Sequence, residues 1–217
     1  MSVPSWPGTP EWPDRPGYPY PPARPIPRRE GPVMVPTVDL PRGDAVEQLR
    51  ARRRVLLTGA IDAMGATKIC AELMALDGQS RDDVELFVNS DGGPLADVLA
   101  VLDVIGSMRA RVRTRCLGRA SGTAAVVLAC GTGERSASPH SVISLRAGDE
   151  RIEGPPERLR AEVAQLEVVR RVVVAALAAR TGLPEDDLVV ELERGAVLDA
   201  ERAKELGLVD VVAGEQR

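Results

Sequence analysis

What the chain is short of limits it first. Its 217 residues include one histidine, His140. A mechanism that needs two histidines is excluded, and any serine–histidine chemistry must use that one residue. Two lysines, Lys68 and Lys204, stand against 26 arginines. With much Ala and Val beside them, this reads as the coding bias of a GC-rich genome and carries no chemistry. Three cysteines, Cys70, Cys116 and Cys130, lie in or beside apolar segments without close pairing. That pattern suits buried thiols in a reducing compartment better than a disulfide framework or a zinc site. The longest purely apolar run, Val172 to Ala179, is eight residues, well short of the roughly 20 that cross a bilayer. No basic region followed by an apolar stretch opens the chain, so no secretory signal is expected and the expected location is cytoplasmic. The net charge of -4 argues against a nucleic-acid binder driven by phosphate neutralisation. No motif asks for a cofactor.

Aromatics are the scarcest apolar class. Four of the five, Trp6, Trp12, Tyr18 and Tyr20, fall within the first twenty residues, and the rest of the chain has Phe87 alone. A core there must be built from Val, Leu, Ile, Ala and Met, each burying less area than an aromatic. Prolines are just as uneven, with 13 of 18 between residues 1 and 41. They recur every third residue at 4, 7, 10, 13, 16, 19, 22 and 25. Polyproline II has three residues per turn, so these prolines make one ridge. Trp6, Thr9, Trp12, Arg15 and Tyr18 make a second face, and Ser5, Gly8, Glu11, Asp14 and Gly17 the third. Such a segment has no apolar face to bury. It reads as a disordered or polyproline II tail and linker over 1–41, with two uses open: a plain extended tail, or a docking peptide for an aromatic-lined, polyproline-binding groove.

From about residue 45 helical and strand patterns alternate. Helical spacing covers Ala45–Arg53, Ala63–Leu76 (stopped by Asp77-Gly78), Leu95–Met108, Thr123–Cys130 and Glu157–Arg180, the last capped by Gly182. Leu99, Leu102, Val104 and Ile105 are the expected buried face of the third. Leu159, Val163, Leu166, Val169, Val173, Ala176 and Leu177 line the last. Short apolar strands are expected at Val55–Gly59, Val84–Val88, Val112–Leu117, Ser141–Leu145 and Leu208–Val212. A short helix follows Pro184, and Asp199 can cap another that ends at Gly207. Such alternation requires crossovers and a largely parallel sheet, an α/β domain over 42–217.

Five stretches in order carry a resemblance. They are Phe87-Val88-Asn89-Ser90-Asp91-Gly92-Gly93, Cys116-Leu117-Gly118-Arg119-Ala120, Pro139-His140-Ser141, Thr181-Gly182, and the run from Leu198 to Asp210. Together they resemble the Clp protease proteolytic subunit family, a group of serine peptidases. The resemblance implies a Clp-protease/crotonase-like α/β spiral of ββα units with a protruding handle helix, falling at Glu157–Arg180. It also implies stacked heptameric rings, formed with itself or with catalytic paralogues, and an AAA+ ATPase as feeder. The family's ATPase docking pockets are lined by aromatics, which this body lacks apart from Phe87, so an ATPase partner is poorly supported.

The family's chemistry needs a serine, a base and an orienting carboxylate. Carried over residue by residue, the three positions fall on Gly122, Arg146 and Gly195. An alternative register, with one residue deleted earlier, puts Ser121 at the nucleophile. Arginine cannot accept a serine proton. His140 lies six residues before Arg146, about 20 Å along a strand, and reads as a surface or turn residue. Glu191 and Glu193 read as solvated helix residues. The oxyanion elements survive in part, with Gly93 as one amide donor and the backbone of Thr123 as the other. Asp91 replaces the family's proline and is expected to pair with Arg146, or Arg146 with Asp149. The sequence thus points to a non-catalytic, pseudoprotease-type ring subunit or scaffold. A peptidase acting through Ser121 with an unusual base stands as the alternative. A crotonase-type acyl enzyme ranks last, because no acidic pair is placed for it.

Overall fold

The computed structural model describes residues 42–146 and 154–213. The proline-rich segment, Asp149 and the last four residues lie outside them. The elements run α1 (Arg42–Ala51), β1 (Arg54–Ala60), α2 (Ala63–Gln79), β2 (Val84–Gly92), α3 (Leu95–Ser107), β3 (Val112–Ser121) and α4 (Thr123–Ala129). They continue β4 (Arg135–Ala137), β5 (Val142–Ser144), α5 (Pro156–Thr181), α6 (Glu185–Arg194), β6 (Val197–Asp199), α7 (Ala200–Glu205) and β7 (Val211–Val212).

The sheet is mostly parallel, in the order β1-β2-β3-β4-β7, with β5 branching from β3 and β6 antiparallel to β5. Strand alternation decides its faces: Val84, Leu86 and Val88 of β2 are buried while Glu85 and Phe87 are half-buried. β3 serves two neighbours in turn, pairing β4 through Thr114–Cys116 and β5 through Arg119–Ser121. Between these stretches β3 bulges against β2. Val88 faces Cys116, but Ser90 faces Ala120, two residues further on than regular pairing allows. Gly118 absorbs the bend at φ +81, where a β-carbon would sit 3.3 Å from the Asn89 side-chain oxygen. The bulge sets the end of β3 beside the end of β2.

The expected α/β architecture is present, with local differences. α2 does not stop at Asp77-Gly78 but runs on to Gln79. The Asp77 carboxylate is occupied elsewhere, accepting from the Ala110 and Arg109 amides at 2.9 Å each. Those bonds, with the Ala110 amide contributing most, hold its carboxyl below the usual range. Arg53 caps the helix end, donating to the Leu76 carbonyl at 3.0 Å and to the Ser80 carbonyl at 3.3 Å. On α3 the buried stripe is Leu95, Val98, Val101 and Ile105, with Leu99, Leu102 and Val104 only partly buried. The buried face is offset from the expected one and shares only Ile105 with it. β3 is four residues longer than expected, since the bulge lets it resume pairing. The three-residue strands β4 and β6 lacked an apolar run long enough to mark them.

α5 divides in two. Val169, Val173, Val174 and Leu177 are buried, but from Pro156 to Val168 no side chain is. Leu159 and Leu166 are half-exposed and Val163 is exposed, so the expected stripe buries only its C-terminal half. Gly182 ends the helix in the left-handed conformation at φ +74, as expected. Asp199 caps α7 by accepting from the Arg202 amide at 2.8 Å.

One arginine ties the C-terminal segment down. Arg135, its side chain only 12% exposed, is clamped by the Asp210 carboxylate. It also donates to the carbonyls of Gly207 (2.8 Å), Arg180 (3.1 Å) and Ala129 (3.2 Å). The ends of α4, α5 and α7 thereby share one guanidinium.

Candidate active site

Four backbone segments meet where β2 and β3 end. The Gly92-Gly93 loop leaves β2, the turn Ser121-Gly122-Thr123 joins β3 to α4, Arg146 follows β5, and Gly195 ends α6. The first three border a cavity of about 180 Å³ lined by Asp91, Gly92, Gly93, Pro94, Gly122, Thr123 and Arg146. That is smaller than the roughly 300 Å³ lower bound usual for small-molecule sites.

The Gly-Gly loop is dictated by packing. A β-carbon at Gly93 would lie 2.1 Å from the Ile61 carbonyl oxygen, and one at Gly92, already at φ +85, 2.5 Å from the Ser121 oxygen. The Ile61 amide donates to the Gly92 carbonyl at 3.0 Å. Buried Ser90 props the loop from below, donating to the Gly59 carbonyl and accepting from the Gly92 amide.

On the facing side, Gly122 takes φ +55 and ψ −123, a conformation other residues enter only with strain. Its amide donates to the Ser144 carbonyl at 2.8 Å, which fixes the turn to β5. A side chain at this point would have room, the nearest atoms to its β-carbon being the Arg146 and Asp91 carbonyl oxygens at 3.8 Å. Gly195, left-handed at φ +65, is open too, with only the Arg146 β-carbon nearby at 4.0 Å. Gly122, Arg146 and Gly195 therefore lie together, with Arg146 in the middle.

Ser121 is half-buried, the last residue of β3 and in register with Ser144. His140 is exposed in the turn before β5, four residues from Ser144, about 13 Å by strand rise. The one imidazole of the chain is out of reach of both Ser121 and Gly122.

Asp91 pairs with Arg119 at 2.7 Å. Both partners are more than half exposed, so the pair adds about 1 kcal/mol at most. The bulge in β3 brings Arg119 alongside the end of β2. Asp149, the other partner expected for Arg146, lies outside the described residues. One expectation changes, at Gly93. Its amide was expected to be available as an oxyanion donor, yet it donates to the Thr123 hydroxyl at 2.8 Å, and that hydroxyl contacts the Gly93 carbonyl at 3.2 Å. Thr123 was assigned a role only through its backbone, and nothing in local spacing marks its side chain. Glu193 pairs with Arg170 at 2.9 Å, and the Glu191 carbonyl accepts from the Gly195 amide.

Burial raises the thiol of Cys116, and that of Cys130 to about 11, so neither is a ready nucleophile. Among the described residues no group of His, Cys, Asp and Glu is arranged to hold a metal ion. No described helix is long and apolar enough to cross a membrane.

Comparison with known proteins agrees with this geometry. The chain is 37% identical over 178 residues to an ATP-dependent Clp protease proteolytic subunit-like protein of Streptomyces coelicolor, covering 80% of this chain and 84% of that protein. It is 35% identical over 172 residues to ATP-dependent Clp protease proteolytic subunit 3 of Nocardia farcinica, covering 76% of each. Subunit 2 of Corynebacterium jeikeium is 33% identical over 168 residues, covering 76% of this chain and 80% of that one. Residues 41–216 match the Clp protease family, and the chain belongs to that family.

Proposed function

We propose that this chain is a non-catalytic subunit of a Clp-type protease, built into a ring with itself or with triad-bearing paralogues. The observation that carries this reading is the clustering of Gly122 and Gly195 about Arg146. Two of the three positions have no side chain, and a guanidinium offers no acceptor for a serine proton. Among the described residues lining the crevice no histidine is present to deprotonate a nucleophile, the first step of acyl transfer. What remains is a scaffold whose place in a ring changes the number of active sites facing the chamber. The outer half of α5, carrying exposed Val163 and Val168, supports its assignment as the handle through which rings stack.

The reading has four further parts. Residues 1–41 form a tail distinct from the domain of 42–217. That tail is the contact for a polyproline-binding partner. An AAA+ ATPase docks weakly or not at all, consistent with Phe87 lying half-buried beneath the Arg54 guanidinium at 5.9 Å. The setting is the cytosol.

Native mass spectrometry of the tagged protein purified from its own cells tests the proposal. A mass containing this chain and a triad-bearing paralogue makes it a regulatory subunit, and a mass containing only its own copies makes it an independent scaffold. Peptide cleavage by the isolated protein, with fluorophosphonate labelling at Ser121, would instead establish the peptidase alternative and end this reading.

A further inference from the structure

We infer that Thr123 is a built-in plug of the oxyanion site, so that this crevice is closed to a peptide carbonyl independently of the missing triad. The inference rests on the reading of Gly122 as the nucleophile position, and adds to it a second, separable lock.

An oxyanion hole works when its donors lie about 2.7–3.1 Å from where the charged oxygen will sit. The Thr123 hydroxyl oxygen is 2.8 Å from the Gly93 nitrogen. It stands where a substrate oxygen would have to stand. It is also held there. The same hydroxyl lies 3.2 Å from the Gly93 carbonyl, so it can donate to one side of the residue while accepting from the other. Thr123 is 1% exposed, packed between the Gly92-Gly93 loop and the first turn of α4. Buried there with both hydroxyl contacts to Gly93, the side chain swings aside only by breaking them and disturbing its packing. Neither Gly92 nor Gly93 can move away, because both are pinned against backbone oxygens of neighbouring segments. A substrate carbonyl would need to break both contacts before it could reach the Gly93 amide.

The open space at Gly122 and Gly195 makes the lock testable. The triple variant Gly122→Ser, Arg146→His, Gly195→Asp supplies a nucleophile, a base and a carboxylate. It is compared with the same variant carrying Thr123→Ala, and with the same variant carrying Thr123→Ser, which keeps the hydroxyl. Peptide hydrolysis is assayed on each full-length protein, after circular dichroism shows it folded. Hydrogen exchange of the peptide containing Gly93 is measured in wild type and in Thr123→Ala alone.

The expected result is hydrolysis about 100-fold to 1,000-fold faster with Thr123→Ala than in the triple variant, the usual effect of one oxyanion donor. Thr123→Ser stays at the triple variant's rate. In the single variant the Gly93 amide exchanges faster than in wild type. If the triple variant cleaves peptide as fast as its Thr123→Ala derivative does, the plug is rejected and the triad positions stand. If exchange at Gly93 is unchanged by Thr123→Ala, the plug is rejected whatever the activities. If no variant cleaves peptide but the amide is released, the plug stands and the triad assignment fails.

Discussion

The two sides of the crevice are both made of glycine, for opposite reasons. On the loop side, Gly92 and Gly93 leave no space for a β-carbon, with contacts of 2.5 and 2.1 Å to backbone oxygens. On the facing side, Gly122 and Gly195 have nothing nearer than 3.8 and 4.0 Å. The first pair is demanded by the packing of the sheet. At the second pair a side chain would have room. A family's architecture and its chemistry thus depend on different atoms. Backbone contacts between β2, β3 and the segment at Ile61 hold the crevice, while reactivity at such a crevice depends on side chains that those contacts do not need.

This contrast is broken most directly by adding one methyl group on each side. Gly93→Ala should cost at least about 4 kcal/mol, in the range kept for severe backbone clashes, with a large fall in urea midpoint or failure to fold. Gly122→Ala should cost about 1–2 kcal/mol, from the positive φ alone. Equal costs at the two sites would remove the distinction. Between them falls Arg135→Ala, expected to cost about 2–3 kcal/mol because three backbone carbonyls lose the charged donor they share. That loss is also read in the urea midpoint.

The difference between backbone and side-chain demands explains what the sequence could tell. Elements with a long periodic pattern, such as α2 and the buried half of α5, were legible, as were caps with a specific residue type, Asp199 and Gly182. The position of Arg146 between Gly122 and Gly195 followed from ordered matches to a family and not from any local signal. Contacts set by a bulge were hidden. The Asp91–Arg119 pair exists because β3 carries two extra residues, and nothing in Leu117-Gly118-Arg119 states how many residues will bulge. The Arg135–Asp210 clamp spans 75 residues, and in a chain with 26 arginines no single one is singled out by type. The Thr123 hydroxyl is hidden for a related reason, since a threonine at the start of an apolar helix reads as ordinary core.

The smallest effect expected is also the one that separates a clamp from a mere surface pair. The Arg135 guanidinium beside Asp210 holds that carboxyl below its usual value. A carboxylate depressed in the folded state contributes stability that is fully present above the unfolded pKa of about 3.9, and that is lost as pH falls through the lower folded value. The wild type should therefore lose part of its stability below about pH 4. Asp210→Asn, which keeps the shape but not the charge, should be less stable than wild type at pH 7 and should approach it as the pH drops. Urea unfolding of both proteins between pH 7 and pH 3 reads the convergence. Arg119 and Asp91, exposed at the crevice mouth, give the comparison its control. Asp91→Asn should change stability by no more than about 0.5 kcal/mol at pH 7. If both asparagine variants behave alike, the anchoring of the C-terminal segment rests on Arg135's bonds to the backbone carbonyls and the charge of Asp210 is incidental.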